Sequence, residues 1–265
     1  MRFDDLDTRM RVFETNHDHC VLPGLYIVAR IDGRSFTRLT RERHPFEAPY
    51  DPRFRDLMLE TVQHLMNCGF QAIYAYTQSD EISILFHPNE SSFSRKERKF
   101  TSILAGEASA RFSLSLGDVA AFDARISLLP SQNLVIDYFR WRMEDASRNC
   151  LNGHCYWALR GEGISAGDAA QQLKGMSNPQ KHDLLFARGK NFNDLPSWQK
   201  RGSGAYWQEV SVSGVNPMTG QEKITARRAL VTDIELPMGD PYEDLLTSIL
   251  LEGVANRSPI LEAAK

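Results

Sequence analysis

Two hydrophobic periods alternate along the first 130 residues of the chain. Apolar runs at residues 25–31 (LYIVARI), 73–77 (IYAYT), 82–86 (ISILF) and 122–129 (FDARISLL) predict four strands, the last of which ends at Pro130. Apolar residues follow helical spacing after Phe54 and again in residues 101–116. The order strand, helix, strand, strand, helix, strand predicts an α+β fold of the ferredoxin-like type, in which an antiparallel sheet carries both helices on one face.

From residue 131 the pattern becomes mainly helical. Helical spacing covers residues 134–149, the segment around Cys155 to Leu159, residues 166–176 and residues 242–254. Residues 205–215 and 224–236 alternate like paired strands, and NPMTG (216–220) supplies turn residues between them. We therefore expect a first unit at residues 1–130 that carries the functional site. A helical and β-hairpin extension at residues 131–265 is expected to pack on it as one compact unit.

Composition limits the class of protein without changing this picture. Hydrophobic residues make up 42% and charged residues 25% of the 265 residues, which is ordinary for a globular enzyme. No apolar run reaches membrane-spanning length and the first residues are too charged for a secretory signal, so we expect a cytoplasmic protein. The formal net charge of −3 means that binding of nucleic acid has to rest on local basic patches.

Zinc is the weaker of two metal hypotheses. The strings HDHC (17–20) and CLNGHC (150–155) contain zinc-ligand residue types, but their spacing matches no standard zinc finger. Nothing in the sequence shows that the two strings meet in space. For the four cysteines of a cytoplasmic chain we expect free thiols.

Acidic residues at two strand ends favour magnesium instead. The first strand ends in Asp32-Gly33, and the hairpin between the second and third strands carries Asp80-Glu81. In the predicted fold the first and third strands are neighbours, so Asp32 and Asp80 approach each other and need a cation to offset their charge. Carboxylates combined with phosphate oxygens suit Mg²⁺, and two such ions can support phosphoryl transfer. The simpler interpretation is that both aspartates only serve turns.

The residues around these acids extend the hypothesis. Because side chains alternate along a strand, Glu81 points to the opposite sheet face from Asp80; it joins the site only if the turn rotates it, or it acts from a second layer. The turn GRSFT (33–37) can present backbone N–H groups to a triphosphate. The basic segment RKERK (95–99) that follows the hairpin is either a solvated helix face or a source of cations for the phosphates.

Several of these segments together resemble one protein family. The segments ARIDGRSFTRLT (29–40), YTQSDEISILF (76–86), FDARISLLPS (122–131), YFRWRMEDASRN (138–149) and GKNFNDLPSWQKRGSGAYW (189–207) resemble the tRNA-His guanylyltransferase family and its bacterial and archaeal relatives, in order and in spacing. The resemblance extends from about residue 6 to about residue 235. It implies a polymerase-like palm that adds nucleotides to the 5′ end of tRNA, in the 3′-to-5′ direction.

The resemblance also implies roles for individual residues. Asp32 and Asp80, with the carbonyl of Gly33, would bind two Mg²⁺ ions, and Glu81 matches an acid that is needed for activity. The nucleoside triphosphate would be held by Asp32, Gly33, Arg34, Ser35, Phe36, Thr37, Ser79 and Asp80, with Arg95, Lys96 and Lys99 on its phosphates. ATP would activate a 5′-monophosphate, and GTP or another nucleoside triphosphate would then be added. The resemblance further implies a homotetramer.

The chain departs from the family pattern at two places. Residues 147–153 (SRNCLNG) stand where eukaryotic members have HINNLYN, and residues 46–51 (FEAPYD) stand where the family has FxKPND, so that Ala48 replaces a lysine. We interpret the first departure as a loss of strict tRNA-His recognition, and we expect templated repair of truncated 5′ ends, guanylate addition to tRNA-His, or both. The second departure means that a phosphate contact is absent or comes from another residue, such as Arg43 or Lys190.

Basic and amide residues are candidates for contacts with RNA. Contacts with tRNA are expected from Arg125, Arg140, Arg142, Asn149, Asn191 and Asn193, although ion pairs and loop caps explain such residues equally well. The four tryptophans are more often core or interface anchors than platforms for bases. Two other classes of function stay open: a nucleotide cyclase built on a related palm, and a tRNA-binding module without catalysis. Mg²⁺-dependent binding of nucleoside triphosphates would separate an enzyme from such a module.

Overall fold

One antiparallel sheet runs through both halves of the sequence. The computed structural model describes residues 2–215 and 222–255. The strands in this part of the chain are β1 (Tyr26–Arg34), β2 (Ala72–Gln78), β3 (Glu81–Phe86), β4 (Ala121–Leu129), β5 (Ser203–Val215) and β6 (Glu222–Asp233). They are ordered β4-β1-β3-β2-β5-β6, so β1 lies between β4 and β3 in the order that the ferredoxin-like pattern predicts. The predicted α+β fold class is confirmed.

Helices cover both faces of this sheet. The helices of the described residues are α1 (Phe3–Thr15), α2 (Phe36–Arg38), α3 (Pro52–Leu65), α4 (Glu97–Leu116), α5 (Gln132–Gly161), α6 (Ala166–Leu173), α7 (Asn178–Phe186), α8 (Ser197–Arg201) and α9 (Asp240–Ala255). A π-helical turn at Leu39–Arg43 continues α2, and 3-10 turns lie at Ser92–Arg95 and Phe192–Asp194. None of the helices between residues 2 and 255, outside the gap at 216–221, is long and apolar enough to cross a membrane.

The first sheet face packs against α3 and α4. Alternate residues of β1, among them Ala29 and Ile31, are fully buried against this helix layer. Helix α3 begins where the sequence favours it, because the Asp51 carboxylate accepts a hydrogen bond from the Arg53 amide at 2.8 Å and Pro52 occupies the first turn. Phe36, directly after β1, is 3% exposed and fixes the end of that strand to the core.

The second sheet face packs against α5 and α9. Val28 and Leu85 lie on this face with Tyr74, which is fully buried and shares a 2.9 Å hydrogen bond with the Tyr242 hydroxyl of α9. Helix α5 is continuous over 30 residues, whereas the sequence pattern suggested separate helical segments. Gly153 does not interrupt it, because the apolar stripe continues through Cys150, Cys155 and Leu159 into a third small core.

The second half of the chain extends the sheet of the first half. Strand β5 pairs with β2 from Tyr74–Tyr206 to Thr77–Ser203, and β6 pairs along the whole of β5. The predicted hairpin is therefore present, while its NPMTG turn lies outside the described residues. Helix α1 was not predicted from the sequence. It contributes no buried residue, so the core-facing pattern on which the prediction depends is weak there.

Candidate active site

The ends of β1 and β3 bring the predicted acids to one edge of the sheet. Asp32 is paired in register with Glu81, and the Gly33 amide donates to the Asp80 carbonyl at 3.0 Å. Ser79 and Asp80 form the two-residue tip between β2 and β3, and Ser79 takes a positive φ of 53°. The tip thus places the Asp80 side chain next to the turn that follows Asp32.

Gly33 is required at this point by close packing. A Cβ atom added to Gly33 would lie 2.9 Å from the Asp80 Cβ and 2.5 Å from the Phe36 ring. The ring cannot retreat easily, because it packs against Phe112 and Phe122 at centroid distances of 5.1 and 4.9 Å. The glycine therefore allows the two acid-bearing segments to approach each other.

Asp80 lies in surroundings that disfavour its negative charge. Burial raises the pKa of Asp80, and the negative charges of Asp32 and Glu81 raise it further. The Ser79 hydroxyl donates to the Asp80 carboxylate at 3.0 Å, which opposes this shift in the pKa. Among the described residues no basic side chain lowers the pKa of Asp80, so a bound cation would offset its charge.

Asp32 and Glu81 are, by contrast, surrounded by arginines. Asp32 Oδ2 lies 2.9 Å from an Arg125 nitrogen and 3.9 Å from an Arg30 nitrogen. The two oxygens of Glu81 contact Arg30 and Arg142 separately. Glu81 therefore faces α5, as strand alternation predicted, whereas Asp80 lies on the side of Phe36.

The fit of magnesium rests on Asp80. No group of three or more His, Cys, Asp or Glu side chains within the described residues is arranged to hold a metal ion. The predicted set has two carboxylates and the Gly33 carbonyl, which suits Mg²⁺ because this ion usually keeps water and substrate phosphate as its other ligands. The unneutralised Asp80 fits a cation at this edge, and Mg²⁺ binding by these residues stays a prediction.

A pocket of about 210 Å³ opens beside the hairpin tip. Ser79, Asp80, Phe36 and Thr37 line one side of it, and Gln78 lies next to them. Of the residues predicted to hold the triphosphate, Asp32, Gly33, Arg34 and Ser35 do not line the pocket, and the last two are exposed on the turn. The pocket therefore has a polar, acidic end at the place where the sequence predicts the triphosphate.

An aromatic part of the pocket wall comes from residues that the sequence pattern does not assign to a site. Tyr50 stacks on His154 at 5.7 Å and meets Trp198 edge to face at 5.9 Å. Arg55 lies over the Trp198 ring at 4.9 Å. A second pair, Arg41 over Trp157 at 5.1 Å, lines the same pocket.

Ala48, at the position of the family lysine, also lines this pocket. Arg41 and Arg55 share the pocket with it, so they supply positive charge close to the place where the lysine is missing. Arg43 does not, because it pairs with Asp118 and donates to the Val119 carbonyl at 3.3 Å. The aromatic and basic wall draws on α3, α5 and α8, which are distant in sequence, and no local pattern reveals that they meet.

The predicted phosphate cations lie elsewhere in this chain. Arg95 is 9% exposed, and its guanidinium donates to the carbonyls of Val21, Leu22, Leu25, Pro88 and Glu90. Leu25 precedes β1 whereas Asp32 lies near its end, so the two points are separated by roughly 23 Å at the rise of a strand. Lys96 pairs with Asp18 at 2.6 Å near Arg95, and Lys99 lies one helical turn further on. Arg95, Lys96 and Lys99 therefore do not lie beside Asp32 and Asp80 of the same chain.

The predicted RNA-contact residues divide by exposure. Arg125, Arg140, Asn149, Asn191 and Asn193 are exposed, although Arg140 pairs with Glu243 at 3.0 Å and Asn191 accepts from the Asn193 amide at 3.1 Å. The side chain of Arg142 is only 5% exposed and is held by two carboxylates, those of Glu81 and Asp145. Arg142 has no free surface for RNA in this position, and its contacts give it an internal role.

Comparison with known structures defines the class of protein. A bacterial tRNA(His) guanylyltransferase-like protein in complex with GTP superposes with a TM-score of 0.72 and 26% identity, covering 95% of this chain and 99% of that one. The tRNA(His) guanylyltransferase of Saccharomyces cerevisiae superposes with a TM-score of 0.68 and 26% identity over 74% of this chain and 90% of that one. The fold is that of a palm-type nucleotidyltransferase.

Sequence comparison then gives the family. The family model described as tRNAHis guanylyltransferase matches residues 7–130, and that of the Thg1 C terminal domain matches residues 133–235. The probable tRNA(His) guanylyltransferase of Mus musculus is 32% identical, with coverage of 92% of this chain and 87% of the relative. The Schizosaccharomyces pombe enzyme is 34% identical, with coverage of 69% and 74%. The chain belongs to the tRNA(His) guanylyltransferase family.

Proposed function

We propose that this protein adds nucleotides to the 5′ end of tRNA in the 3′-to-5′ direction, with a base-paired strand as template. The observation that carries the proposal is the placement of Asp32 and Asp80 at adjacent strand ends beside a pocket, in a chain of this family. A structural neighbour that holds GTP, and another that holds ATP, support nucleoside triphosphates as substrates.

The proposed reaction has two group transfers. An oxygen of the tRNA 5′-monophosphate attacks the α-phosphorus of ATP, which forms a 5′-adenylylated end and releases pyrophosphate. The 3′-hydroxyl of GTP, or of another nucleoside triphosphate, then attacks the activated tRNA phosphate and displaces AMP. Both transfers develop negative charge on phosphate oxygens, so catalysis depends mainly on positioning and electrostatic stabilisation.

The residues of the pocket, and Asp32 and Gly33 at the strand end next to Asp80, divide this work. Asp32 and Asp80, with the Gly33 carbonyl, would hold two Mg²⁺ ions, which offset charge on the phosphates when bound. Ser79 and Thr37 face the same end of the pocket and can donate hydrogen bonds to phosphate oxygens. Trp198 and Tyr50, with Trp157, give the other end an apolar surface for a base.

Templated addition accounts for the absence of the family motif. Residues 147–153 lie within α5, where Cys150 and Leu151 are buried, so this segment offers only part of its surface to RNA. When base pairing selects the nucleotide, the protein needs only phosphate and shape contacts with tRNA. Arg125, Arg140 and the asparagines Asn149, Asn191 and Asn193 are exposed and can supply such contacts.

The test uses two labelled tRNAs with ATP, GTP and Mg²⁺. One is tRNA-His without its additional 5′ guanosine, and the other is a tRNA that lacks its first paired nucleotide. Asp80→Ala is the inactive variant, and Asp137→Ala, which removes an exposed carboxylate of α5, is the matched control. We expect Asp137→Ala and the unmodified protein to extend the truncated tRNA faster, with the nucleotide that its template specifies.

The other outcomes are equally informative. Preferred addition of guanosine to tRNA-His would show that tRNA identity is recognised without the HINNLYN motif, and would overturn the templated proposal. If neither tRNA is extended, the proposed polymerase activity is wrong. Cyclic nucleotide formation would then indicate a cyclase, and tRNA binding without Mg²⁺-dependent nucleotide binding would indicate a module without catalysis.

The homotetramer and the cytoplasmic location are further parts of the proposal. They follow from the family resemblance and from composition, respectively. Mass photometry of the purified protein tests the first, and fractionation of cells that produce the protein tests the second. A tetramer would also give Lys96 and Lys99 a route to phosphates bound by a neighbouring copy, whereas Arg95 is held by backbone carbonyls of its own chain.

A further inference from the structure

An alternating series of charged side chains connects α5 with the acidic edge of the sheet. Its members are, in order of contact, Asp145, Arg142, Glu81, Arg30, Asp32 and Arg125. Arg30 and Glu81 lie on the same sheet face because their strands are in register, with Asp32 opposite Glu81 and Arg30 opposite Ser83. We name the central part of this series, Arg30, Glu81 and Arg142, the Glu81 clamp.

Glu81 is fully engaged by the clamp and faces away from Asp80. Each of its carboxylate oxygens contacts a different guanidinium group, that of Arg30 or that of Arg142. The side chains are sheltered, with exposures of 18% for Arg30, 23% for Glu81 and 5% for Arg142. A metal ion at Glu81 would have to displace both arginines, so direct metal coordination does not explain why an acid stands here.

Arg30 is placed between two carboxylates and contacts only one of them closely. Its Nη2 atom contacts Glu81 Oε1 directly, whereas it lies 3.9 Å from Asp32 Oδ2. A movement of about 1 Å would bring this nitrogen within ordinary hydrogen-bond distance of Asp32. The Glu81 contact is what holds Arg30 in its present position.

Arg125 already contacts Asp32, but it competes less effectively with a metal ion. Its side chain is 57% exposed, and solvent screens an exposed ion pair so that it contributes little. Arg30 is mostly sheltered, where charges interact more strongly than at the surface. A closed Arg30–Asp32 pair would therefore be a much stronger competitor for the Asp32 carboxylate.

We infer that Glu81 is a positioning residue that keeps Arg30 away from Asp32, so that the Asp32 carboxylate stays available to the metal–nucleotide complex. Glu81 acts through Arg30 and does not touch the reacting atoms. Arg142, fixed by Asp145 and by the Trp141 ring at 4.7 Å, holds the other oxygen of Glu81. The inference rests on the proposed function, because it assumes that Asp32 binds a cation.

The test measures binding of Mn²⁺ alone to the full-length protein, by the loss of its free electron paramagnetic resonance signal. We expect Glu81→Gln to weaken Mn²⁺ binding by about tenfold to a hundredfold, the range found when second-layer partners of metal ligands are changed. Glu81→Asp, which keeps the charge, should recover part of the affinity. The double variant Glu81→Gln/Arg30→Met should recover most of it, because the competing cation is then absent.

Recovery by Arg30→Met separates positioning from a merely structural role. If Glu81 only stabilised the fold, removing Arg30 as well would not restore Mn²⁺ affinity, and that result would overturn the inference. Thermal unfolding of each variant identifies samples that have not folded. If Glu81→Gln fails to fold, Arg30→Met alone decides the question: Mn²⁺ affinity equal to or above that of the unmodified protein supports the inference, and a weaker affinity contradicts it.

Two controls distinguish this inference from the proposed function. The proposed metal site requires that the unmodified protein binds Mn²⁺ and that Asp80→Asn abolishes this binding. If no such binding is found, the proposed metal site is wrong, and the inference is wrong with it. If such binding exists and Glu81→Gln leaves it unchanged, only the inference fails. Extension assays on the same variants should show a raised Mg²⁺ requirement for Glu81→Gln, with the rate at saturating Mg²⁺ less affected.

Discussion

Replacing Gly33 by alanine tests whether the close approach of β1 to the hairpin tip makes the site. The added Cβ would lie 2.5 Å from the Phe36 ring, which is about 0.9 Å closer than an ordinary contact. It would also lie 2.9 Å from the Asp80 Cβ. Since Phe36 is enclosed by other aromatic rings, we expect the hairpin tip, and with it Asp80, to move instead.

The magnitude follows from overpacking. Forcing additional volume into a packed core costs about 1–3 kcal/mol of unfolding free energy. For a chain of this size that lowers the melting temperature by roughly 2–12 °C. Displacement of Asp80 should reduce kcat/KM for extension by about tenfold to a hundredfold, because misplacement by about 1 Å can cost two orders of magnitude.

The assay combines thermal unfolding with extension of the truncated tRNA. Gly106→Ala is the matched control, because nothing lies within 4 Å of the added Cβ on helix α4. It should stabilise the protein by about 0.5–1 kcal/mol and leave extension unchanged. A Gly33→Ala variant with the stability and activity of the unmodified protein would show that the close approach is not needed.

Three further variants test separate parts of the account. Asp80→Asn should raise the melting temperature at pH 7 by about 2–4 °C in the absence of divalent cations. Because burial raises the pKa of Asp80, its ionisation destabilises the fold as pH rises, so the gain in melting temperature should vanish at pH 3. An equal gain at both pH values would contradict this. Trp198→Ala should weaken nucleotide binding about tenfold while Phe186→Ala, which removes an exposed aromatic ring, does not, as equilibrium dialysis with labelled GTP would show. Arg95→Lys should lower the free energy of unfolding, measured in urea, by at least about 2 kcal/mol, because lysine cannot donate to five carbonyl acceptors. A decrease in unfolding free energy no larger than that of the exposed variant Arg98→Ala would contradict the structural role of Arg95.

The arrangement of the acids is the part that local sequence predicts well. Asp32 and Asp80 each follow an apolar run. The hydrophobic periodicity and the strand order of the fold class together predict that the strands next to these acids are neighbours. The opposite facing of Glu81 and Asp80 follows from strand alternation in the same way. These features depend on contacts between strands whose pairing the fold class fixes.

The features that the sequence did not reveal depend on packing between distant elements. Trp198 and Tyr50 meet only because α8 and the loop before α3 both pack near α5, and Arg55 then lies over Trp198. Arg95 is basic and follows the hairpin, as a phosphate-binding residue would, but its fold position directs it to backbone carbonyls. Side-chain type alone cannot distinguish an arginine that binds a ligand from one that fixes loops.

The most direct test of the central claim is the position at which a labelled nucleotide enters the tRNA. The protein is incubated with a tRNA that lacks its first nucleotide, ATP, Mg²⁺ and α-labelled GTP, and the product is digested to separate its terminal nucleotides. The account predicts that the label lies in the 5′-terminal nucleotide and is absent from reactions with Asp80→Ala. Label at the 3′ end, or equal 5′ labelling by Asp80→Ala, would contradict 3′-to-5′ addition at the Asp32 and Asp80 edge.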